Sequence, residues 1–405
     1  MNFVNRHCDF SLCRYKRDIL YFILYFVLFI VVYGAMFMRL GLHWDEMYDR
    51  YGDMNGTYVA AGRWGLALFR TIMGKGSMPW TYGLVAAGSI SAALVLQTRM
   101  FRLDDGFLRV MYGGLYVSCT QFLFQLRYSY QGDAVAFGIL CATIGMYILS
   151  TYDFNRVRSV WVILLFTVAI AMYQSIGVYI VALGLACFLA ISYFVKKILA
   201  FFLCLSLSMF VWWGISKMAI NFGFAGDMDI CAVSCVRNDL IGWKEMLKQA
   251  GEGNYYIMKW YFLVTPRILL GTTYPGAWLY ATVFVPMSIL VWKILFLKSN
   301  CYPRLFVLFA LWISPCATSL VMGWACPQTR AELANPLALA FLWILCLRDF
   351  KFSAKGAIIS LLLTLFVLVR ASYTVSSFAW NERLETIRAQ LIERTIEKDV
   401  FPLHQ

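Results

Sequence analysis

An all-α polytopic membrane protein is the fold this sequence predicts, and three observations carry that reading. Apolar residues make up 61% of the chain, against about 45–50% in a soluble domain. They fall in runs near the length of about 20 that a helix needs to cross a bilayer, and the runs show no strand alternation. Charged residues, 14% of the total, gather between the runs. A helix bundle suits such runs, because in hydrocarbon each backbone N–H and C=O must bond within its own segment.

The runs in order predict about eleven spans: 19–40, 82–98, 110–125, 134–150, 159–173, 176–194, 198–219, 277–297, 305–323, 336–347 and 356–371. The first is too long for the apolar core of a signal peptide, and no small-residue cleavage site follows it. Basic residues alternate between the connecting loops. Arg6, Arg14, Lys16 and Arg17 precede the first span, and Arg99, Arg102 and Arg109 follow the second. Arg156 and Arg158, then Lys196 and Lys197, then Lys293, Lys298 and Arg304, and finally Arg348, Lys351 and Lys355 mark the same side. Under the positive-inside rule that side is cytoplasmic. The N-terminus is then inside, while residues 41–80 and a tail over about 372–405 are outside. This distribution accounts for the net charge of +13 without a nucleic-acid partner.

Three outer segments are expected to lie along the membrane surface. Residues 57–73 place Tyr58, Ala61, Leu68 and Ile72 at helical spacing, with Arg63 and Arg70 on another face. Residues 239–249 set Leu240, Trp243 and Leu247 on one side, and Tyr255, Tyr256, Trp260 and Tyr261 follow as an interfacial aromatic belt. The tail after Trp380 carries Leu384, Ile387 and Leu391 as a stripe among charges, which predicts an amphipathic interfacial helix. No internal repeat or low-complexity linker divides the chain, so residues 1–405 are read as one membrane-embedded domain.

Of the twelve cysteines, Cys119, Cys141, Cys187, Cys204 and Cys346 lie inside apolar runs, where a thiol behaves as a small hydrophobe. Cys231, Cys235 and Cys326 fall in loops, and a Cys231–Cys235 bridge would have to meet strict geometry. The three histidines are far apart, and no spacing resembles a zinc site.

The polar residues that remain gather at outer ends of spans. Asp45, Glu46, Asp49 and Asp53 crowd nine positions just past the first span. Arg63, Arg127, Tyr128, Asp133, Gln174 and Arg330 come from four further outer segments. Ionisable groups close to membrane depth are costly and often functional, so this convergence predicts a polar chamber open to the outer face. Each residue also has a structural reading. Asp133 follows Gly132 and could cap a helix, Arg127 and Arg330 could reach lipid phosphates, and Gln174 could satisfy backbone at a tight turn.

Several of these residues stand in a recognisable pattern. The run Trp44-Asp45-Glu46…Arg50-Tyr51…Gly62-Arg63-Trp64, the Tyr173-Gln174 turn and the Pro327-x2-Arg330 segment resemble the O-antigen glucosyltransferases of bacterial membranes. Tyr128-x4-Asp133 opening a later span resembles the wider class of C-type glycosyltransferases (the GT-C fold). The family often has two aspartates where this chain has Asp45-Glu46, a pair that also resembles protein mannosyltransferases.

The resemblance implies a GT-C-like bundle in a bacterial inner membrane, with its active site on the outer face. It implies a sugar, glucose in this family, carried on a polyprenyl phosphate and transferred to a surface polysaccharide or lipid-linked acceptor. In that reaction Asp45, or else Glu46, is the base, worth typically about 10²–10⁴-fold. Arg63, Arg127 and Arg330 face the phosphate, while Asp53, Tyr128, Asp133 and Gln174 hold sugar or base. No cofactor is needed, although the carboxylates could hold a divalent cation. The competing readings are another GT-C transferase, of mannosyl or aminoarabinose type, and a polysaccharide or lipid transporter. Charged residues are scarce at mid-span, where coupling sites usually sit, which disfavours the transporter.

Overall fold

The computed structural model describes residues 3–37, 54–74, 79–119, 125–126, 131–153, 155–190, 195–224, 284–297, 301–314, 333–348 and 354–400. Those residues form helices and turns, and no strand occurs among them. In chain order the helices are α1 (Phe3–Phe37), α2 (Met54–Ala60), α3 (Trp64–Met73), α4 (Pro79–Met100), α5 (Gly106–Ser118), α6 (Gly132–Thr151) and α7 (Arg156–Met172). They continue with α8 (Ile176–Ala190), α9 (Val195–Asn221), α10 (Phe284–Leu297), α11 (Cys301–Ile313), α12 (Asn335–Leu347) and α13 (Ala354–Val400).

A helix occupies each of the eleven expected span regions, but their lengths differ. Five are long and apolar enough to cross a membrane: Tyr15–Phe37, Trp80–Met100, Gly132–Thr151, Lys196–Asn221 and Gly356–Ser377. The remainder, such as α5 with 13 residues and α8 with 15, fall short of the roughly 20 residues needed for a full crossing. The all-α membrane architecture therefore stands, with five helices of crossing length among the described residues. Large apolar side chains on the outer surfaces of α1, α9 and α13, among them Val31, Phe210, Leu363 and Phe366, are exposed. A soluble monomer rarely leaves so much contiguous apolar surface uncovered, and lipid is its natural solvent.

The centre of the bundle is built by α1, α4, α5 and α6. Tyr25 donates to the Arg109 carbonyl at 2.9 Å, and Tyr33 donates to the Val117 carbonyl at 3.1 Å. Each pair is 84 positions apart, so α1 and α5 run parallel and in register over two turns. Gly113 permits the approach, because a Cβ there would lie 2.2 Å from the Tyr25 ring. At one end of the bundle the Asp18 carboxylate accepts from both Arg99 and Arg109, at 2.8 Å and 3.1 Å. This partly buried triad joins the first span segment of α1, the end of α4 and the start of α5. At the other end Phe37 packs edge-on against Tyr82, and Tyr82 donates to the Leu126 carbonyl at 3.2 Å. We call the first the basic end and the second the site end. Lys197, bonded to the Ser150 carbonyl, and Lys293, bonded to the Cys346 carbonyl, are placed by helix direction at the basic end too. The alternation of basic loops is thus matched by the relative directions of these helices.

Inside the bundle the Gln97 amide is satisfied on both sides. Its oxygen accepts from Tyr112 and its nitrogen donates to Tyr179 and Thr143. The arrangement binds α4, α5, α6 and α8 through one side chain, as a buried amide requires. Cys119, Cys141, Cys187, Cys204 and Cys346 are buried, in keeping with their use as small hydrophobes.

Two expectations need correction. The 57–73 segment is not one surface helix but two, α2 and α3, because Gly62 adopts a φ of 72°. Tyr58 is buried whereas Leu68 and Ile72 are exposed, so these residues do not share a face. The tail after Trp380 is helical, yet it continues α13 without a break. No Gly or Pro occurs between Ala357 and Val400, so nothing stops the helix at the end of its apolar part. The 239–249 segment, the aromatic belt from Tyr255 to Tyr261 and the Cys231–Cys235 pair lie outside the described residues.

Candidate functional site

The site end is organised by the turn between α2 and α3. Gly62, in the left-handed region, closes α2 with two backbone bonds: its own N–H to the Val59 carbonyl at 2.9 Å, and that of Arg63 to the Tyr58 carbonyl at 2.7 Å. This is a Schellman cap, which favours glycine because a Cβ is strained at that φ. The cap leaves the Ala61 and Gly62 carbonyls to be satisfied from elsewhere. Gln174 Nε2 donates to the Ala61 carbonyl, and Trp212 Nε1 to that of Gly62 at 2.8 Å. The chain then enters α3, where Gly65 lets it sit on the end of α7. A Cβ at Gly65 would lie 2.9 Å from the Ala171 backbone carbon.

These contacts bring Arg63 onto the turn between α7 and α8. Its Nε donates to Gln174 Oε1 at 3.2 Å, and its guanidinium lies 4.6 Å from the centroid of the Tyr173 ring. Both ends of the Gln174 amide are engaged by the protein, so Gln174 holds Arg63 in place. Among the described residues Arg63 faces no carboxylate, and its bonds to them leave Nη1 and Nη2 unused. A guanidinium oriented by its Nε and by an aromatic face, with its terminal donors open, suits a bidentate oxyanion.

The Tyr173–Ser175 turn is recessed. It meets α6 at Gly138, where a Cβ would lie 2.6 Å from Ile176 and 3.1 Å from Met172, rather than at Gly132 where α6 begins. Six residues of helix separate the two levels, which is about 9 Å at 1.5 Å per residue. The far half of α3 rises towards the rim of α6. There Arg70 makes a salt bridge to Asp133, and both residues are buried. Asp133 Oδ1 also accepts from the Ala134 N–H at 2.8 Å. Phe69 packs on Phe137 beside this pair, with ring centroids 5.6 Å apart. So α3 borders this recessed turn, with the chain entering it pinned by Gln174 through Ala61 and Arg63, and its far half pinned by Asp133.

Of the candidates drawn from the sequence, Arg63 and Gln174 are in direct contact, and Asp133 lies about one and a half helical turns above the level of Gly138, where the Tyr173–Ser175 turn meets α6. Asp45, Glu46, Asp53, Arg127, Tyr128 and Arg330 lie outside the described residues. Arg70 and Tyr173, which the sequence singles out only as a helix-face residue and as part of the Tyr173-Gln174 turn, join the site in the structure. An arginine between Phe69 and Ile72 on a mostly apolar helix needs a buried partner, and that was the signal for Arg70. Among the described residues no group of three or more His, Cys, Asp or Glu is placed to hold a metal.

The fold and these side chains define an all-α membrane protein with an oriented arginine at one end of its bundle. The chain belongs to the GtrII glucosyl transferase family, whose model matches residues 34–380. It is therefore a glycosyltransferase, and the match includes Arg63, Arg70, Asp133, Tyr173 and Gln174. No curated protein and no solved structure matches the chain.

Proposed function

We propose that this chain is a GT-C-like transferase that moves glucose from a polyprenyl-phosphate donor to a surface polysaccharide such as O-antigen. The work is done at the outer face of a bacterial inner membrane. The observation that carries the reading is Arg63, oriented by Gln174 and Tyr173 and facing no carboxylate among the described residues, within a glucosyl transferase family member. A lipid phosphate entering from the bilayer would reach a recess of this depth without leaving the interface.

The reaction has simple bookkeeping. An acceptor hydroxyl attacks C1 of glucose and the C1–O bond to phosphate breaks. Polyprenyl phosphate leaves, and a carboxylate takes the hydroxyl proton. One displacement inverts C1. Asp45 is the base in this scheme, with Glu46 beside it as the alternative. Both lie between Phe37 and Met54, at the site end of α1 and the start of α2. Arg63 stabilises charge developing on the leaving phosphate, and Arg127 and Arg330 are further cations for it. Asp53 and Tyr128 are proposed to contact the sugar or acceptor. Asp133 acts through Arg70, by holding α3 against α6. The scheme uses no cofactor and no metal.

The test uses purified full-length protein with polyprenyl-phosphate glucose and a lipopolysaccharide acceptor. Transfer is expected, with loss of glucose from the surface polysaccharide when the protein is deleted from cells. Asp45→Asn should abolish transfer in protein that remains folded. Wild-type rates in Asp45→Asn move the base to Glu46, and wild-type rates in the double variant Asp45→Asn/Glu46→Gln reject both.

A further inference from the structure

Two buried hydroxyls at the floor of the recess have no hydrogen-bond partner among the described residues: Tyr173 OH and Ser175 Oγ, each on a residue 1% exposed. The Trp64 indole N–H, next to Arg63 in the chain, is a third such group. Burial of a polar group without a partner is costly, and native structures avoid it unless something else uses the group. Ser175 stands where a serine usually caps a helix by bonding an N–H of the first turn. Here that work is done by backbone. The N–H groups of Ile176, Gly177 and Val178 bond the carbonyls of Tyr173, Gln174 and Ser175 at 2.9, 2.9 and 3.1 Å, and the serine hydroxyl is left over. The Tyr173 ring is held under the Arg63 guanidinium, so its hydroxyl is fixed relative to the cation.

We infer that Tyr173 and Ser175 read the hexose of the donor by hydrogen bonds to its hydroxyls, while Arg63 holds the phosphate to which that hexose is attached. The inference rests on the polyprenyl-phosphate donor reading above. The chemistry divides accordingly. A guanidinium matches an oxyanion. Neutral hydroxyls, each able to donate and accept, match sugar hydroxyls. A site built to bond a hydroxyl discriminates well against a ligand that presents it wrongly, because its own buried groups then stay unpaired. The rigid turn between α7 and α8 thereby becomes the element that selects the sugar.

Binding measured without turnover separates the two arms. The probes are polyprenyl phosphate, polyprenyl-phosphate glucose and its galactose epimer, each titrated against full-length protein in nanodiscs. Wild type is expected to bind the glucose lipid more tightly than the sugarless lipid and than the epimer. Tyr173→Phe and Ser175→Ala should each cut that preference by about five- to tenfold, the usual worth of a neutral hydrogen bond, and leave affinity for the sugarless lipid unchanged. Arg63→Ala should weaken all three probes. Because the hydroxyls have no partner among the described residues, their removal should hold or raise Tm, whereas a structural hydroxyl would lower it. If Tyr173→Phe fails to fold, Ser175→Ala, which removes a single oxygen, decides the question. A glucose preference that survives in the variants, or a Tm that falls with each, overturns the inference and leaves the donor reading standing. Wild-type protein that binds none of the polyprenyl lipids overturns the donor reading and this inference with it.

Discussion

Arg63 and Arg70 sit seven positions apart, yet their environments differ. Arg70 is neutralised by Asp133 in a buried pair, and removing one member of such a pair typically costs about 3–5 kcal/mol because the other is left uncompensated. Arg70→Met or Asp133→Leu alone should therefore lower the thermal inactivation midpoint sharply in detergent. The double variant should recover most of the loss, since two apolar side chains leave no orphaned charge. Arg63 is different, because it is held by an amide and a ring and its terminal donors take no partner among the described residues. Arg63→Ala should leave stability nearly intact and lower kcat/KM by roughly ten- to hundredfold, the equivalent of about 1.5–3 kcal/mol for a charged hydrogen bond. Arg63→Lys should restore only part of the activity, because an ammonium lacks the two-pronged geometry. Equal stability losses in the Arg63 and Arg70 variants would contradict this separation of roles.

At the scale of the element, α3 is the part whose placement matters most. It rests on Ala171 through Gly65 and is aimed by the positive φ of Gly62. Gly65→Val should push α3 off α7, because the new side chain meets backbone rather than a side chain that could turn away. The expected result is a fall in kcat/KM much larger than the fall in Tm, read by comparing both on the same purified protein. Gly62→Ala forces a Cβ into the left-handed region, which costs about 1 kcal/mol, and should lower activity less. If Gly65→Val retains wild-type kcat/KM, α3 does not position the reacting groups. The long α13 illustrates the opposite case. Its apolar face and its uninterrupted helix-forming sequence were both readable. The absence of a stop signal after Trp380 lets the tail continue the span, whereas its amphipathic stripe alone predicts a separate interfacial helix.

For the whole molecule, the ion triad of Asp18, Arg99 and Arg109 collects basic residues at one end, and the recess opens at the other. With the positive-inside bias, the basic end is expected in the cytoplasm. Single cysteines introduced in a variant without native reactive thiols test this. A cysteine at the exposed Asp104 should be protected from an impermeant maleimide in intact spheroplasts, and one at the exposed Met73 should be labelled. The reverse pattern would invert the molecule and place the recess inside, where a nucleotide sugar would be a more natural donor.

Apolar run length and loop charge were enough to establish the class of this protein, because the bilayer imposes both directly on the sequence. The short motifs around Gly62-Arg63-Trp64 and Tyr173-Gln174 were enough for the family, and the family model agrees. Glycine at 62 and arginine at 63 were visible as letters. That Gly65 makes a close contact depended on where α7 ends. The pairing of Arg63 with Gln174 spans 111 positions, and that of Arg70 with Asp133 spans 63. No periodicity reports contacts at such separation. The sequence placed Arg63 and Arg70 on one helix face, whereas packing put a helix break between them and gave each a different neighbour. Only the tertiary structure could decide which arginine is neutralised and which stays open, because a buried charge takes its character from the groups that packing brings to it.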